Sequence, residues 1–272
     1  MLTGVMALKK YLAIFMIILT AAGFTGCRDF HRSTKKAWDD AKTTGELVVA
    51  AAASLTDVME EIKVLYMKEN PDVKVRFTFG ASGTLMTQIV EGAPVDIFIP
   101  ASKKQMDILE EKGLIKTDTR VDLLSNRIVL ITPASSSKEI NGFEDIAAQK
   151  VEKIALGDPA SVPVGRYSIE ILTSIGIIEE AEDKAVYASD VRQILSWVET
   201  EMADCGIVYR TDAMVSDKIT VSAMAPEDSH SPVVYPAAVI NGSDNVEEAK
   251  NFMKFLSTEE ARTIFGRYGF GD

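Results

Sequence analysis

From residue 45 onward the sequence predicts an α/β protein with mostly parallel strands, and three observations carry the prediction. Short apolar runs alternate with amphipathic helical patterns, the rhythm of strand–helix–strand units. The chain has 272 residues, 47% of them hydrophobic, enough to bury a real core as one large domain or two smaller ones. The turns from strand to helix are built of small residues (Ala, Ser, Gly, Pro), and no internal repeat or low-complexity tract breaks the pattern.

Leu47, Val48 and Val49 make the first apolar run. Ala50-Ala51-Ala52-Ala53-Ser54-Leu55-Thr56-Asp57 follows, and Leu55, Val58, Met59, Ile62, Leu65 and Tyr66 then recur at three- and four-residue spacings. That is a strand, a turn and a helix with one buried face. Ser54 is the natural N-cap, with Asp57 three residues on as in a capping box. The alanines leave the backbone N–H groups of this turn open to a small anion. Residues 73–79 alternate as a strand and run through Gly80-Ala81-Ser82-Gly83-Thr84 into a helix carrying Leu85, Ile89 and Val90. Residues 95–99 read as a buried strand ended by Pro100. Ser102 and Gln105 read as a second capping box, opening a helix that closes at Gly113. Residues 127–131 are again a strand.

A second set of alternations begins at residue 153. A short strand enters Gly157-Asp158-Pro159-Ala160-Ser161-Val162-Pro163-Val164-Gly165, where Pro163 suits a first helical position. The helix proceeds through Ile169, Ile171 and Leu172 to Gly176. Residues 185–187 form a strand leading to Ser189-Asp190 and a helix with Val191, Ile194, Leu195 and Val198. Strands follow at 205–209 and 219–224, then an extended stretch at 232–240. Helices at 246–256 and 257–265 close the chain, the last opened by a Ser257/Glu260 box.

Residues 1–27 are targeting sequence rather than fold. Lys9-Lys10 precede a short apolar stretch from Tyr11 to Ala22, and Gly23-Phe24-Thr25-Gly26-Cys27 follows. This end resembles a bacterial lipoprotein signal, which implies lipidation at Cys27; a cleaved secretory signal is the alternative, and Phe24 stands where an aliphatic residue is usual. Residues 28–44 are polar and read as a tether.

Composition then excludes several function classes. The net charge is −11, with no basic block in the folded part, so nucleic acid is not an expected partner. With Cys27 lipidated only Cys205 remains, in an apolar run, which predicts a buried inert thiol. His31 and His230 stand alone, without a metal-ligand set. Asp158 and Asp190 sit at strand-to-helix turns, where caps are more common than catalytic carboxylates. No nucleophile elbow surrounds Ser54.

Four turns share small residues and free N–H groups without an obligatory charge, centred on Ser54, Ser82, Val164 and Val191. In open α/β sheets ligands bind beyond the carboxyl ends of the strands, where such turns gather. The Ser82 turn is not a phosphate loop, because the Gly-Lys-Ser/Thr ending is missing.

Several motifs occur in a fixed order along residues 46 to 270. They are Ala51-Ala52-Ala53-Ser54-Leu55, Gly92-Ala93-Pro94-Val95-Asp96-Ile97-Phe98, Gly157-Asp158-Pro159 with Val162-Pro163, Gly206-Ile207-Val208-Tyr209, Pro226-Glu227-Asp228-Ser229-His230 and Arg267-Tyr268-Gly269-Phe270. Together they resemble the molybdate-binding proteins of bacterial ABC importers. The resemblance implies a two-lobed type II periplasmic-binding-protein fold, each lobe a mostly parallel sheet flanked by helices, joined by a two-strand hinge. Lobe I would comprise 45–126 plus 236–272 and lobe II 127–235, with crossings near Asn126-Arg127 and Tyr235-Pro236.

It also implies a ligand set for molybdate. The serine hydroxyls fall on Ser54 and Ser82, the main-chain donors on Val164 and Val191, and the tyrosine hydroxyl on Tyr209. This chain reads Gly-Ala-Ser-Gly-Thr where the family is richer in serine around Ser82, and it has valine for alanine at 164. Such groups do not titrate near neutral pH, so they favour a proton-free dianion over hydrogen phosphate. Tungstate is expected to bind as well. The implied partners are the oxyanion, the membrane permease and, through lipid, the membrane. The protein would be an exported monomer, lipid-anchored on the outer side or periplasmic, with no cofactor and no catalysis. Sulfate binding by the same fold, and a secreted phosphoryl-transfer enzyme, are the alternatives.

Overall fold

A computed structural model describes residues 46–271; the expected signal segment, Cys27, the tether and His31 lie outside the described residues. Ten strands fall into two five-stranded sheets. The first holds β1 (Glu46–Ala52), β2 (Lys74–Gly80), β3 (Ile97–Ile99), β4 (Val121–Asn126) and β10 (Val233–Val239), in the order β2-β1-β3-β10-β4. The second holds β5 (Ile128–Pro133), β6 (Ile154–Gly157), β7 (Ala185–Ala188), β8 (Cys205–Tyr209) and β9 (Ile219–Met224), in the order β7-β6-β8-β5-β9.

The helices of the first part are α1 (Thr56–Glu69), α2 (Ser82–Val90) and α3 (Lys103–Glu111). Next come α4 (Pro163–Ser174), α5 (Ile178–Glu182), α6 (Val191–Glu199) and α7 (Arg210–Ala213), and the chain closes with α8 (Val246–Leu256) and α9 (Glu259–Arg267).

The apolar runs become strands because both their faces are covered. β1 is buried from Leu47 to Ala52, and β5 and β8 are buried throughout, as expected of strands flanked by helices on both sides. The stripe on α1 meets the closing helix: Tyr66 packs edge-on against Phe252 of α8, ring centroids 4.8 Å apart. Aromatic pairs in this geometry add about 1 kcal/mol beyond the area they bury.

Each sheet is evenly mixed rather than mostly parallel. β1 pairs parallel with β2 and β3, and β6 with β7 and β8. β10 runs antiparallel to β3 and β4, and β5 to β8 and β9. The antiparallel strands include those that carry the chain between sheets. The chain leaves the first sheet at Asn126 and enters the second at Ile128, with Arg127 alone between them. It returns between Met224 and Val233, so Val233, Val234 and Tyr235 belong to the first sheet.

Three local expectations need correction. β4 had no signal in the sequence, because it is an edge strand, largely exposed, whose residues Val-Asp-Leu-Leu-Ser-Asn show no clean alternation. Ser54 does not cap α1: it lies in a 3₁₀ turn (Ala53–Leu55), and the helix starts after Leu55 without a side-chain cap. The last helix is capped by Thr258 rather than Ser257; Thr258 accepts from the Ala261 N–H, while the Ser257 hydroxyl turns back to the Met253 carbonyl. The short helices α5 and α7 were also not visible in the sequence, being under two turns long.

Other local readings hold. Pro163 opens α4, and Ser102 caps α3 by accepting from Lys104 N–H. Asp190 caps α6 by accepting from Gln193 N–H. Asp158 accepts from Ala160 N–H and Ser161 Oγ within its own turn.

Candidate functional site

A pocket of ≈ 210 Å³, part of it open to solvent, lies where the carboxyl ends of strands from both sheets meet helix starts. The first sheet contributes Ala52, Ala53, Ser54, Gly80, Ala81, Ser82 and Ala101. Val162, Pro163, Asp190, Val191 and Tyr209 come from the turns and strand of the second. Four of the five predicted residues (Ser54, Ser82, Val191 and Tyr209) therefore line it. Val164 does not; its side chain is fully buried in the core, one residue beyond Pro163. As the second residue of α4 its N–H has no acceptor within the helix, so only that N–H is relevant to a ligand.

The turn that carries Val164 depends on close approach. A methyl group on Gly165 would overlap the Gly157 carbonyl, so α4 can lie this near the end of β6 only with glycine there.

The polar atoms of the pocket are arranged as donors. Ser82 Oγ accepts from Ala101 N–H at 3.0 Å, which leaves its own proton for another acceptor. Ser54 Oγ lies 2.9 Å from the Tyr235 hydroxyl. The Tyr209 hydroxyl is buried and has no hydrogen-bond partner. A buried polar atom without a partner costs about 1–3 kcal/mol, and such atoms are few in native proteins, so this one points to a missing ligand. Burial drives the ionisation of Tyr209 and Tyr235 well above the ordinary tyrosine range, so both keep their protons. No lysine or arginine lines the pocket.

Contacts around the pocket join the two halves. Gly83 N–H donates to the Ser161 carbonyl at 2.9 Å, and Arg166 Nη2 donates to Ser102 Oγ at 3.1 Å. Arg192 at the start of α6 pairs with Asp57 of α1. Its Nε also lies 3.1 Å from Asp212 Oδ1, off the hydrogen-bonding line.

Asp212 is fully buried, and burial lifts its carboxyl from 3.8 to about 7 against the pull of Arg192. A carboxyl raised on folding adds stability that is fully present below pH 3.8 and lost as pH rises through about 7. About three pH units correspond to roughly 4 kcal/mol. Urea unfolding from acid to neutral pH is expected to show this decline, and Asp212→Asn to flatten it. An unchanged slope in the variant would assign the decline to other groups.

Cys205 is buried, and desolvation pushes its thiol up to about 12, the inert state its sequence context predicts. His230 Nδ1 contacts the Ser231 carbonyl, and its ring packs against Tyr167. Among the described residues no cluster of His, Cys, Asp or Glu has the makings of a cation site. The sequence reading missed Tyr235, Asn126, Ala101, Arg192 and Asp212. Tyr235 was marked only as part of a crossing, and its contact with Ser54 spans 181 positions.

Comparison with known proteins agrees with the geometry. Residues 47–271 match the family described as bacterial extracellular solute-binding protein. A Bacillus subtilis protein named as a candidate ABC transporter substrate-binding lipoprotein is 39% identical over 263 residues, 96% of this chain and 98% of its own. The Haemophilus influenzae molybdate-binding protein ModA is 42% identical over 230 residues, 84% of this chain and 90% of its own.

Among solved structures, the substrate-binding domain of a candidate molybdenum ABC transporter from Clostridium difficile shares 44% identity at a TM-score of 0.66. That match covers 84% of this chain and 98% of that one. The Azotobacter vinelandii periplasmic molybdate-binding protein matches at a TM-score of 0.76 and 23% identity, over 84% of this chain and 99% of that one, which speaks for the fold alone. Built as two helix-flanked sheets in the type II periplasmic-binding-protein fold, the chain belongs to the bacterial extracellular solute-binding proteins.

Proposed function

We propose that this chain is the substrate-binding component of an ABC importer and that it captures molybdate, with tungstate accepted as well. The observation that carries the reading is the orphaned Tyr209 hydroxyl, buried in a pocket whose serines are available as donors. A proton-free tetrahedral dianion offers only acceptors, and this pocket offers N–H and O–H donors with no basic side chain. Ser54, Ser82 and Tyr209 would donate through hydroxyls, and Val164 and Val191 through main-chain N–H groups. The molybdate-binding names of relatives at about 40% identity support the choice of anion.

The two sheets with their helices would be the two lobes, 45–126 plus 236–272 and 127–235, with residues 233–235 assigned to the first by their pairing in β10. Closure over the anion would create the surface that the permease reads, because a ligand shifts the open–closed balance only through contacts that differ between the two forms. The protein would act as an exported monomer, held at the outer face of the membrane by lipid on Cys27; the lipoprotein name of the Bacillus subtilis relative supports the anchor. Catalysis is not part of the reading: the partner of Ser54 is a tyrosine that keeps its proton, not a general base.

The test is thermal unfolding of the purified chain with molybdate, tungstate, sulfate and phosphate in turn. At about 1,000 times its dissociation constant a ligand adds roughly 4 kcal/mol. Molybdate and tungstate are expected to give that shift, and Ser54→Ala/Ser82→Ala to abolish it. A shift with sulfate alone would move the ligand and keep the site; no shift with molybdate would overturn the proposal.

A further inference from the structure

The side chains behind Ser54 form a chain of hydrogen bonds whose direction can be worked out donor by donor. It starts at the single residue joining the sheets. Arg127 N–H donates to Asn126 Oδ1 at 2.8 Å, which fixes the orientation of the Asn126 amide. The other end of that amide therefore carries two donors. One goes to Thr211 Oγ1 at 2.9 Å and one to the Tyr235 hydroxyl oxygen at 3.2 Å.

Tyr235 is fully buried and keeps its proton. With Asn126 donating to its oxygen, its O–H needs an acceptor, and Ser54 Oγ at 2.9 Å is in place. The reverse direction, Ser54 donating to Tyr235, would leave a buried tyrosine proton without an acceptor, the more costly arrangement. Ser54 Oγ thus accepts from the protein and sends its own proton into the pocket, as Ser82 does under Ala101 N–H.

We propose that Asn126 and Tyr235 are positioning residues that lock Ser54 as a donor, and that this one-way relay makes the pocket reject tetrahedral anions carrying a proton. The inference rests on the oxyanion reading of the site. Its chemistry is simple: a proton-free dianion needs only donors, whereas hydrogen phosphate or hydrogen arsenate brings an O–H that must find an acceptor. With both serine oxygens already receiving protein protons, the pocket has no good acceptor to offer them. The relay does not separate molybdate from sulfate, since neither carries a proton; cavity size must do that.

The test compares molybdate with hydrogen arsenate by calorimetric titration of the full chain at mildly alkaline pH. The proteins are the wild type and the variants Tyr235→Phe, Asn126→Ala, Ser54→Ala and Ser54→Ala/Tyr235→Phe. Tyr235→Phe conserves the ring and is expected to weaken molybdate roughly three- to tenfold, the range of one neutral hydrogen bond. It should also narrow the molybdate-to-arsenate ratio, because Ser54 Oγ becomes free to accept. Asn126→Ala leaves the Tyr235 ring in place and should shift both quantities the same way, so it decides the matter if Tyr235→Phe folds poorly. In the Ser54→Ala background, Tyr235→Phe should change molybdate affinity by less than about twofold, since coupled residues are not additive.

An unchanged ratio in both relay variants, or full additivity with Ser54→Ala, would overturn the relay while the site stands. A wild-type chain that binds no proton-free oxyanion would overturn the site reading and the relay with it.

Discussion

Tyr209→Phe is expected to lower molybdate affinity by about ten- to a hundredfold and, in the same protein, to raise the stability of the empty form. The two effects have opposite signs because of one atom. In the empty pocket the Tyr209 hydroxyl is buried and unpaired, so it costs the fold about 1–3 kcal/mol, and phenylalanine removes that cost while keeping the ring that packs against Tyr235. With anion bound, the hydroxyl would make a hydrogen bond to a charged acceptor, worth about 1.5–3 kcal/mol, which phenylalanine cannot make. Urea unfolding without ligand and calorimetric titration with it measure the two halves. A variant that is both less stable and equally tight would show the hydroxyl to be structural.

Gly83→Ala should weaken binding by roughly five- to a hundredfold without unfolding the protein. Gly83 is the point where α2 touches the Asp158–Val162 turn, its N–H bonded to the Ser161 carbonyl at 2.9 Å. A Cβ there would stand 2.6 Å from that same oxygen and 2.9 Å from Ser161 Cα, both backbone atoms that cannot swing aside. Overpacking of this kind costs about 1–3 kcal/mol. The cost falls on the form in which the two halves are together, and an opened form escapes it. Affinity therefore drops while the unfolding midpoint of the empty protein stays within a degree or two of wild type. A midpoint that falls sharply, with affinity unchanged, would mean that the contact belongs to the core and not to closure.

Much of this site could be read locally. The alanine run before Ser54, the proline at 163 and the small residues around Ser82 are short-range signals, and they mark the turns that line the pocket. Asp190 was legible as a cap for the same reason: its acceptor role is settled within three residues. What local reading misassigned was the hydroxyl of Ser54. Serine before an apolar helical stripe looks like a cap, but here a tyrosine 181 residues away takes that oxygen, and no local pattern announces such a partner. β4 escaped notice because an edge strand pairs on one side only and need not be apolar. Val164 shows the complementary limit. Its side chain belongs to the core, and its N–H can matter only through its place at the start of α4, a property of position in which residue type plays no part.

Arg127 is the whole of one crossing between the sheets. One residue has two soft dihedrals and spans about 3.8 Å, so the halves can swivel about this point but cannot slide apart there. The second crossing, residues 225–232, is longer and can follow. The swivel thus passes beside Asn126, the same side chain whose amide ends at Tyr235 and, through it, at Ser54. Fulcrum and fingertip share their bonds. By thermodynamic reciprocity, whatever the anion gains from a correctly aimed serine returns as an equal bias on the angle of the swivel. Recognition of the ion and the posture offered to the membrane would then be one event, written in three hydrogen bonds.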